Sequence, residues 1–94
     1  ENDSQEETLI EQDELETRRR MLSKAMSVLN ERERRIFEVR RLADDPITLE
    51  ELSTEFDISR ERVRQIEVRA FEKVQDAVQK EALAQAQALR VVDA

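Results

Sequence analysis

Apolar residues recur along most of this chain at the 3.6-residue spacing of amphipathic helices. Leu15, Leu22, Met26 and Leu29 stand at i, i+7, i+11 and i+14, which predicts a first helix over residues 11–29. A second helix over 31–42 carries Ile36, Phe37 and Val39 around a partly apolar face. Leu49 and Leu52 turn inward on a third, from Thr48 to near Phe56. Val63, Ile66, Ala70 and Val74 stripe a fourth at i, i+3, i+7 and i+11, and this helix runs to about residue 80. Residues 81–94 are rich in Ala and Gln; they have helix propensity but few anchors, and either extend the fourth helix or fray.

Punctuation between these stripes agrees with them. Asn30 precedes Glu33 by three positions, an N-cap with capping-box spacing in which Asn stands where Ser or Thr is usual. Thr48 and Glu51 form a full capping box, and Ser59 caps the fourth helix. Ala43-Asp44-Asp45-Pro46 ends the second helix, because Pro disfavours helix at the residue before it. Asp57 occupies the turn between helices three and four, where a left-handed conformation is tolerated better by Asp than by most residues. With no Gly and one Pro, the chain lacks the turn residues a strand-rich fold needs. The expected fold is all-α, four helices in a helix-turn-helix domain without a wing, ending in a long helix. The expected organisation is an acidic linker over 1–10, a helical domain over 11–80 with its helix-turn-helix at 48–71, and a tail over 81–94. A first residue of Glu1 favours a piece of a longer or processed chain.

Composition narrows the chemistry. A chain of 94 residues buries only about 60–65% of its unfolded surface, so the core is small. Cysteine and histidine are absent, which removes disulfides, thiolate chemistry, the usual general base and the commonest zinc ligand. No loop carries the Asp-x-Asp-x-Asp-Gly pattern of a calcium site. No apolar run approaches the roughly 18 residues of a membrane span, and no signal peptide is visible. These features predict a cytoplasmic protein that is not an enzyme, with no catalytic residue, metal, cofactor or membrane partner.

The net charge of −7 argues against a nucleic-acid partner until it is divided along the chain. Residues 1–17 net −8, 18–41 net +6, 42–58 net −6, 59–73 net +2, and 74–94 net −1. Positive charge is therefore focused in two segments, and phosphate contact depends on the local field. An acidic spacer is favoured for residues 1–10 over an arm that competes with DNA for a basic face. For Arg18-Arg19-Arg20, pairing with Glu14 and Glu16 on a solvated face is favoured over DNA contact.

Residues 48–71 read as two short-range helical segments joined by a tight turn. Leu52, Phe56, Ile58, Val63 and Ile66 supply the apolar positions such a pair needs, and Ser53 is small enough for close approach. Once these are subtracted, Arg60, Glu61, Arg64 and Gln65 remain as a patch over the first turns of the last helix. In a helix-turn-helix those turns meet base edges in the major groove. Arg bonds guanine O6 and N7, Glu accepts from cytosine N4, and Gln bonds adenine N6 and N7. The competing reading is a salt-bridged surface, Arg60 with Glu61 and Arg64 with Glu67. Phosphate contacts are expected from Arg32, Thr48, Leu49 through its amide, Ser59, Arg62, Arg69 and Lys73. The three Phe residues fall at core-like positions, so the domain is expected to recognise duplex and leave melting to another domain.

The stretch TLEELSTEFDISRERVRQIE resembles the DNA-binding signature of region four of bacterial sigma factors, and LNERERRIFEVRRL is similar to the upstream half of that region. The resemblance covers about residues 29–74. Ser59 before the signature and the short 43–47 connection look most like the heat-shock sigma group. The resemblance implies promoter recognition in transcription initiation, with the −35 element read as double-stranded DNA. It implies docking on the β-flap of RNA polymerase, near an apolar surface around Ile36, Phe37, Val39 and Leu42. By motif position it gives Arg60, Glu61 and Gln65 the bases, with Arg64 beside them. Chaperone and anti-sigma regulators are further partners it allows. A free chain is expected to be a monomer in the bacterial cytoplasm, at the nucleoid. Two other functions fit the helices alone: a free-standing helix-turn-helix regulator, and a protein-interaction bundle.

Overall fold

A computed structural model describes the backbone of residues 2–93 and the side chains of residues 12–89. The order is α1 (Asn2–Met26), α2 (Glu31–Phe37), a π-helical turn (Glu38–Leu42), α3 (Leu49–Phe56) and α4 (Arg60–Asp93). Among the described residues there is no strand. The all-α expectation holds. α1 starts at Asn2, well before the expected residue 11, and ends at Met26, so residues 27–29 form the turn into Asn30. α4 is one helix of 34 residues that continues through the Ala- and Gln-rich segment.

Each start and stop has a local cause. Asn30 Oδ1 accepts from the Glu33 amide at 2.8 Å, and Glu33 Oε1 accepts from the Asn30 amide at 3.0 Å. The Thr48 hydroxyl accepts from the Glu51 amide at 3.1 Å, and the Ser59 hydroxyl from the Arg62 amide at 3.0 Å. Asp57 takes the left-handed conformation, φ 54° and ψ 49°, and its amide bonds the Ser53 carbonyl. The Ser53 hydroxyl donates to the Ile58 carbonyl across the same turn. The second helix ends at Leu42 as expected, but its last turn is π-helical. Beyond it the Ile47 amide bonds the Val39 carbonyl at 3.1 Å, folding the Pro46 connection back onto the helix end.

Two apolar clusters hold the helices. Ile36, Leu52, Val63 and Ile66 form one, with Val39, Ile47, Leu49, Phe56 and Ile58 packed against it. Ala25, Met26, Leu29, Phe37, Ala70 and Val74 form the other, flanked by Leu22, Ala77 and Val78. The neighbours Ile36 and Phe37 point into different clusters, so α2 is wedged between them. All four residues of the α4 stripe are buried. Leu15 departs from its expected stripe and is 45% exposed. The α1 core contacts begin only at Leu22; Thr17, Arg20 and Met21 before it line an open groove with Glu81 and Gln85, and Lys24 pairs with Glu81 at 3.1 Å.

Two buried carboxylates tie α2 to α4. Glu33, 7% exposed, accepts from Lys73 Nζ at 2.6 Å as well as from its capping-box amide. Glu67, also 7% exposed, accepts from Arg40 Nε at 3.0 Å and Arg41 Nε at 2.9 Å. Arg40 also donates to the Ile47 carbonyl at 3.1 Å, so one guanidinium joins α4 to the connection. Arg41 lies 4.7 Å from the Phe71 ring centre, in cation–π range. Phe71 is thus covered by a cation and 40% exposed, not in the core position expected for it. Among the described residues, no buried side-chain polar atom lacks a partner. Arg35 forks onto Glu55 at 3.1 and 3.2 Å, joining α2 to α3. Arg18 and Arg20 pair with Glu14 and Glu16, as expected for a solvated face.

Leu52→Ala leaves a cavity at a site with no solvent access and should cost about 2–5 kcal/mol, whereas Leu89→Ala should stay within about 0.5 kcal/mol; urea unfolding measures both. Burial alone raises the Glu33 pKa, but the Lys73 and Asn30 hydrogen bonds and the charges of Lys73 and Arg69 outweigh it and hold the carboxyl below its ordinary 4.5. A depressed carboxylate stabilises the fold above its ordinary value and loses that contribution as pH falls through the lower, folded value. Thermal unfolding below pH 4.5 should therefore fall more steeply for the wild type than for Glu33→Gln.

Candidate nucleic-acid interface

The 3.6-residue period divides α4 into two working faces. Val63, Ile66, Glu67 and Ala70 face the core. Glu61, Arg64, Gln65 and Val68 lie opposite, at i, i+3, i+4 and i+7, and all four are exposed. Arg60 is exposed at the first position of the helix. The patch expected for base contact, Arg60, Glu61, Arg64 and Gln65, is thus brought together on one solvent face. Its partners are not those of the competing salt-bridge reading. Glu67 is taken by Arg40 and Arg41, and Arg64 instead forks onto Glu61 through Nε at 3.0 Å and Nη2 at 2.6 Å.

This fork changes the chemistry of both residues. The Arg64 hydrogen bonds hold the Glu61 carboxyl below its usual range, and the Glu61 contacts raise the Arg64 pKa in turn. Glu61 therefore stays ionised and acceptor-only. Two Arg donors leave lone pairs free on a carboxylate, which has about four acceptor sites. The pair also presents a carboxylate with its charge neutralised, which lowers the cost of bringing it toward phosphates. Arg62 Nη1 reaches Gln65 Oε1 at 3.4 Å, a longer contact on the neighbouring flank.

A groove beside this face is lined by Asn30, Arg32, Arg62, Gln65, Arg69 and Lys73 among others. It runs between the start of α2 and the flank of α4, so Arg32, distant in sequence, joins Arg62 and Arg69. Of the expected phosphate contacts, those three are exposed and face one groove. Ser59 and Thr48 are exposed, with their hydroxyls engaged as caps. Leu49 is half-buried, and its amide is in the first turn of α3. Lys73 differs: its ammonium sits on buried Glu33. No local pattern marks this pair, because the partners are 40 positions apart.

The apolar residues expected near a polymerase contact separate. Ile36 and Phe37 are core residues at 0% and 3% exposure, so they are removed from any surface. Val39 is half-buried, and Leu42 is 45% exposed. Side chains of residues 1–11, and with them the acidic arm, lie outside the described residues. Among the described residues no group of His, Cys, Asp or Glu has the arrangement of a metal site, and no helix is long and apolar enough to cross a membrane.

Capped α3, a left-handed turn at Asp57 and a polar outer face on α4 define a helix-turn-helix domain of the DNA-binding type. The family model described as sigma-70, region 4 matches residues 25–76, and the chain belongs to that family. The RNA polymerase sigma factor RpoH of Rhizobium radiobacter is 84% identical over 93 residues, covering 99% of this chain and 31% of that protein. The RNA polymerase sigma factor RpoH of Caulobacter vibrioides (strain NA1000 / CB15N) is 53% identical over 81 residues, 86% of this chain and 28% of that protein. The RNA polymerase sigma-C factor of Myxococcus xanthus is 43% identical over 60 residues, 64% and 20% of the two chains. The chain thus spans about a third or less of the length of these relatives.

If Lys73 works as a strut between helices, Lys73→Met should lower the thermal midpoint while leaving the salt dependence of DNA binding near that of the wild type. Arg69→Ala should do the reverse, reducing the salt slope by about 1 with little loss of stability.

Proposed function

We propose that this chain is the promoter-reading part of a sigma factor, recognising the −35 element as duplex DNA in transcription initiation. The observation that carries this reading is the exposed Arg60, Glu61, Arg64 and Gln65 patch on the start of α4, with Arg32, Arg62 and Arg69 beside it. Membership of the sigma-70 region 4 family supports it. Arg60, Glu61 and Gln65 read bases. Arg64 holds the Glu61 carboxylate and lies close enough to contact a base itself. Arg32, Arg62 and Arg69 hold phosphates, joined by Ser59, Thr48 and the Leu49 amide at the helix starts.

The reading extends to a holoenzyme. RNA polymerase is the partner, with the β-flap docking near Val39 and Leu42. The chain acts as a monomer with no enzymatic activity of its own, in the bacterial cytoplasm on the nucleoid. The RpoH name of two relatives supports a heat-shock sigma subgroup. Chaperone or anti-sigma regulators fit that subgroup.

The test is a duplex panel in which each base pair of a promoter site is varied, with binding measured for the polymerase complex. Arg60→Ala and Glu61→Ala should each relax preference at one position, at a cost of about 1–3 kcal/mol. Arg62→Ala should weaken every duplex alike and reduce the salt slope by about 1. Equal behaviour of the two classes on all duplexes would falsify the groove-reading assignment. Two-fold cooperative binding to a palindrome would point instead to a free-standing regulator.

A further inference from the structure

Within residues 60–70, one apolar side chain stands among the exposed polar residues of α4. Val68 is 38% exposed and belongs to neither apolar cluster. It lines the same groove as Arg62, Gln65 and Arg69. Within the fold it does nothing for the core, and a β-branched residue is a poorer helix former than the Ala, Glu or Lys residues elsewhere on α4. Its register is the informative part. Val68 completes the series begun by Glu61, Arg64 and Gln65 at i, i+3, i+4 and i+7. A recognition helix places four side chains in one groove at this same spacing.

In the major groove only one base edge offers an apolar group, the C5-methyl of thymine. We infer that Val68 is a fourth reader on α4, selecting thymine through contact with its 5-methyl group. This rests on the reading of α4 as the groove-entering helix. Val68 lies about 4.5 Å beyond Gln65 along the helix axis, on the order of one base-pair step of about 3.4 Å. Its target is therefore a base pair adjacent to the one read by Gln65. Having no donor or acceptor, it does not compete for the edges that Glu61 and Gln65 bond. Cytosine at that pair presents no methyl to cover, and a purine places polar N7 and its exocyclic group against the valine.

The experiment removes the methyl group alone. The full-length protein bound to RNA polymerase selects its preferred duplex from a randomised pool. Each thymine of that duplex is then replaced singly by deoxyuridine, and binding is measured for wild type, Val68→Ala and Val68→Ile. At one thymine, next to the pair whose preference Gln65→Ala relaxes, deoxyuridine should weaken wild-type binding by about fourfold, the effect of one buried methyl. Val68→Ile should keep that sensitivity and Val68→Ala should lose most of it. A deoxyuridine profile unchanged by Val68→Ala overturns the assignment, as does a selected site with no thymine there. If Arg60→Ala and Glu61→Ala still shift base preference in that case, only the role of Val68 fails. If no duplex is preferred at all, the groove reading beneath it fails as well.

Discussion

One helix carries the molecule, and its period sets what each face can do. α4 packs against α1, α2 and α3 alike. Val63 and Ile66 close one cluster with Ile36 and Leu52, and Ala70 and Val74 close the other with Met26 and Phe37. Because about 3.6 residues complete a turn, the positions between these anchors are forced outward. The exposed patch of Arg60, Glu61, Arg64 and Gln65 is the complement of the core stripe. A register shift by one residue would spoil the core packing and break up the polar patch together.

Burying two carboxylates in so small a domain requires partners, and the partners fix geometry. Glu33, near the start of α2, draws in Lys73 of α4, and Glu67 of α4 draws in Arg40 and Arg41 of the π-helical turn that follows α2. α2 is therefore tied to α4 at its start and, through the π-helical turn, just beyond its end, with Ile36 and Phe37 wedged between the clusters. That fixes the distance of Arg32 from Arg62 and Arg69 across the groove. Buried ion pairs of this kind add little net stability relative to apolar packing, but an unpaired member is costly, which favours one arrangement over neighbouring ones.

The division of charge gives the net value of −7 a different meaning. Several of the bases in the two positive segments are engaged inside the domain: Arg35 with Glu55, Arg40 and Arg41 with Glu67, Lys73 with Glu33. The positive surface left outside these ion pairs is narrower than a count of residues suggests. It gathers around the groove that holds Arg32, Arg62 and Arg69.

Much of this was legible in the chain. Helix caps are local, so Asn30, Thr48 and Ser59 could be placed from residues three positions away. The buried α4 stripe and the exposed polar patch opposite it follow from one period, and Asp57 from the limits on left-handed backbone. What the sequence could not carry were contacts between elements. Ile36 and Phe37 look like a surface stripe until two separate cores claim them. Nothing near Lys73 in the chain announces its ion pair with Glu33, and Glu67 looks like a partner for Arg64 until Arg40 and Arg41 reach it. Pairings within one turn follow from backbone geometry that the sequence dictates. Pairings across 26 to 40 positions depend on how the helices are packed, and only the tertiary structure decides those.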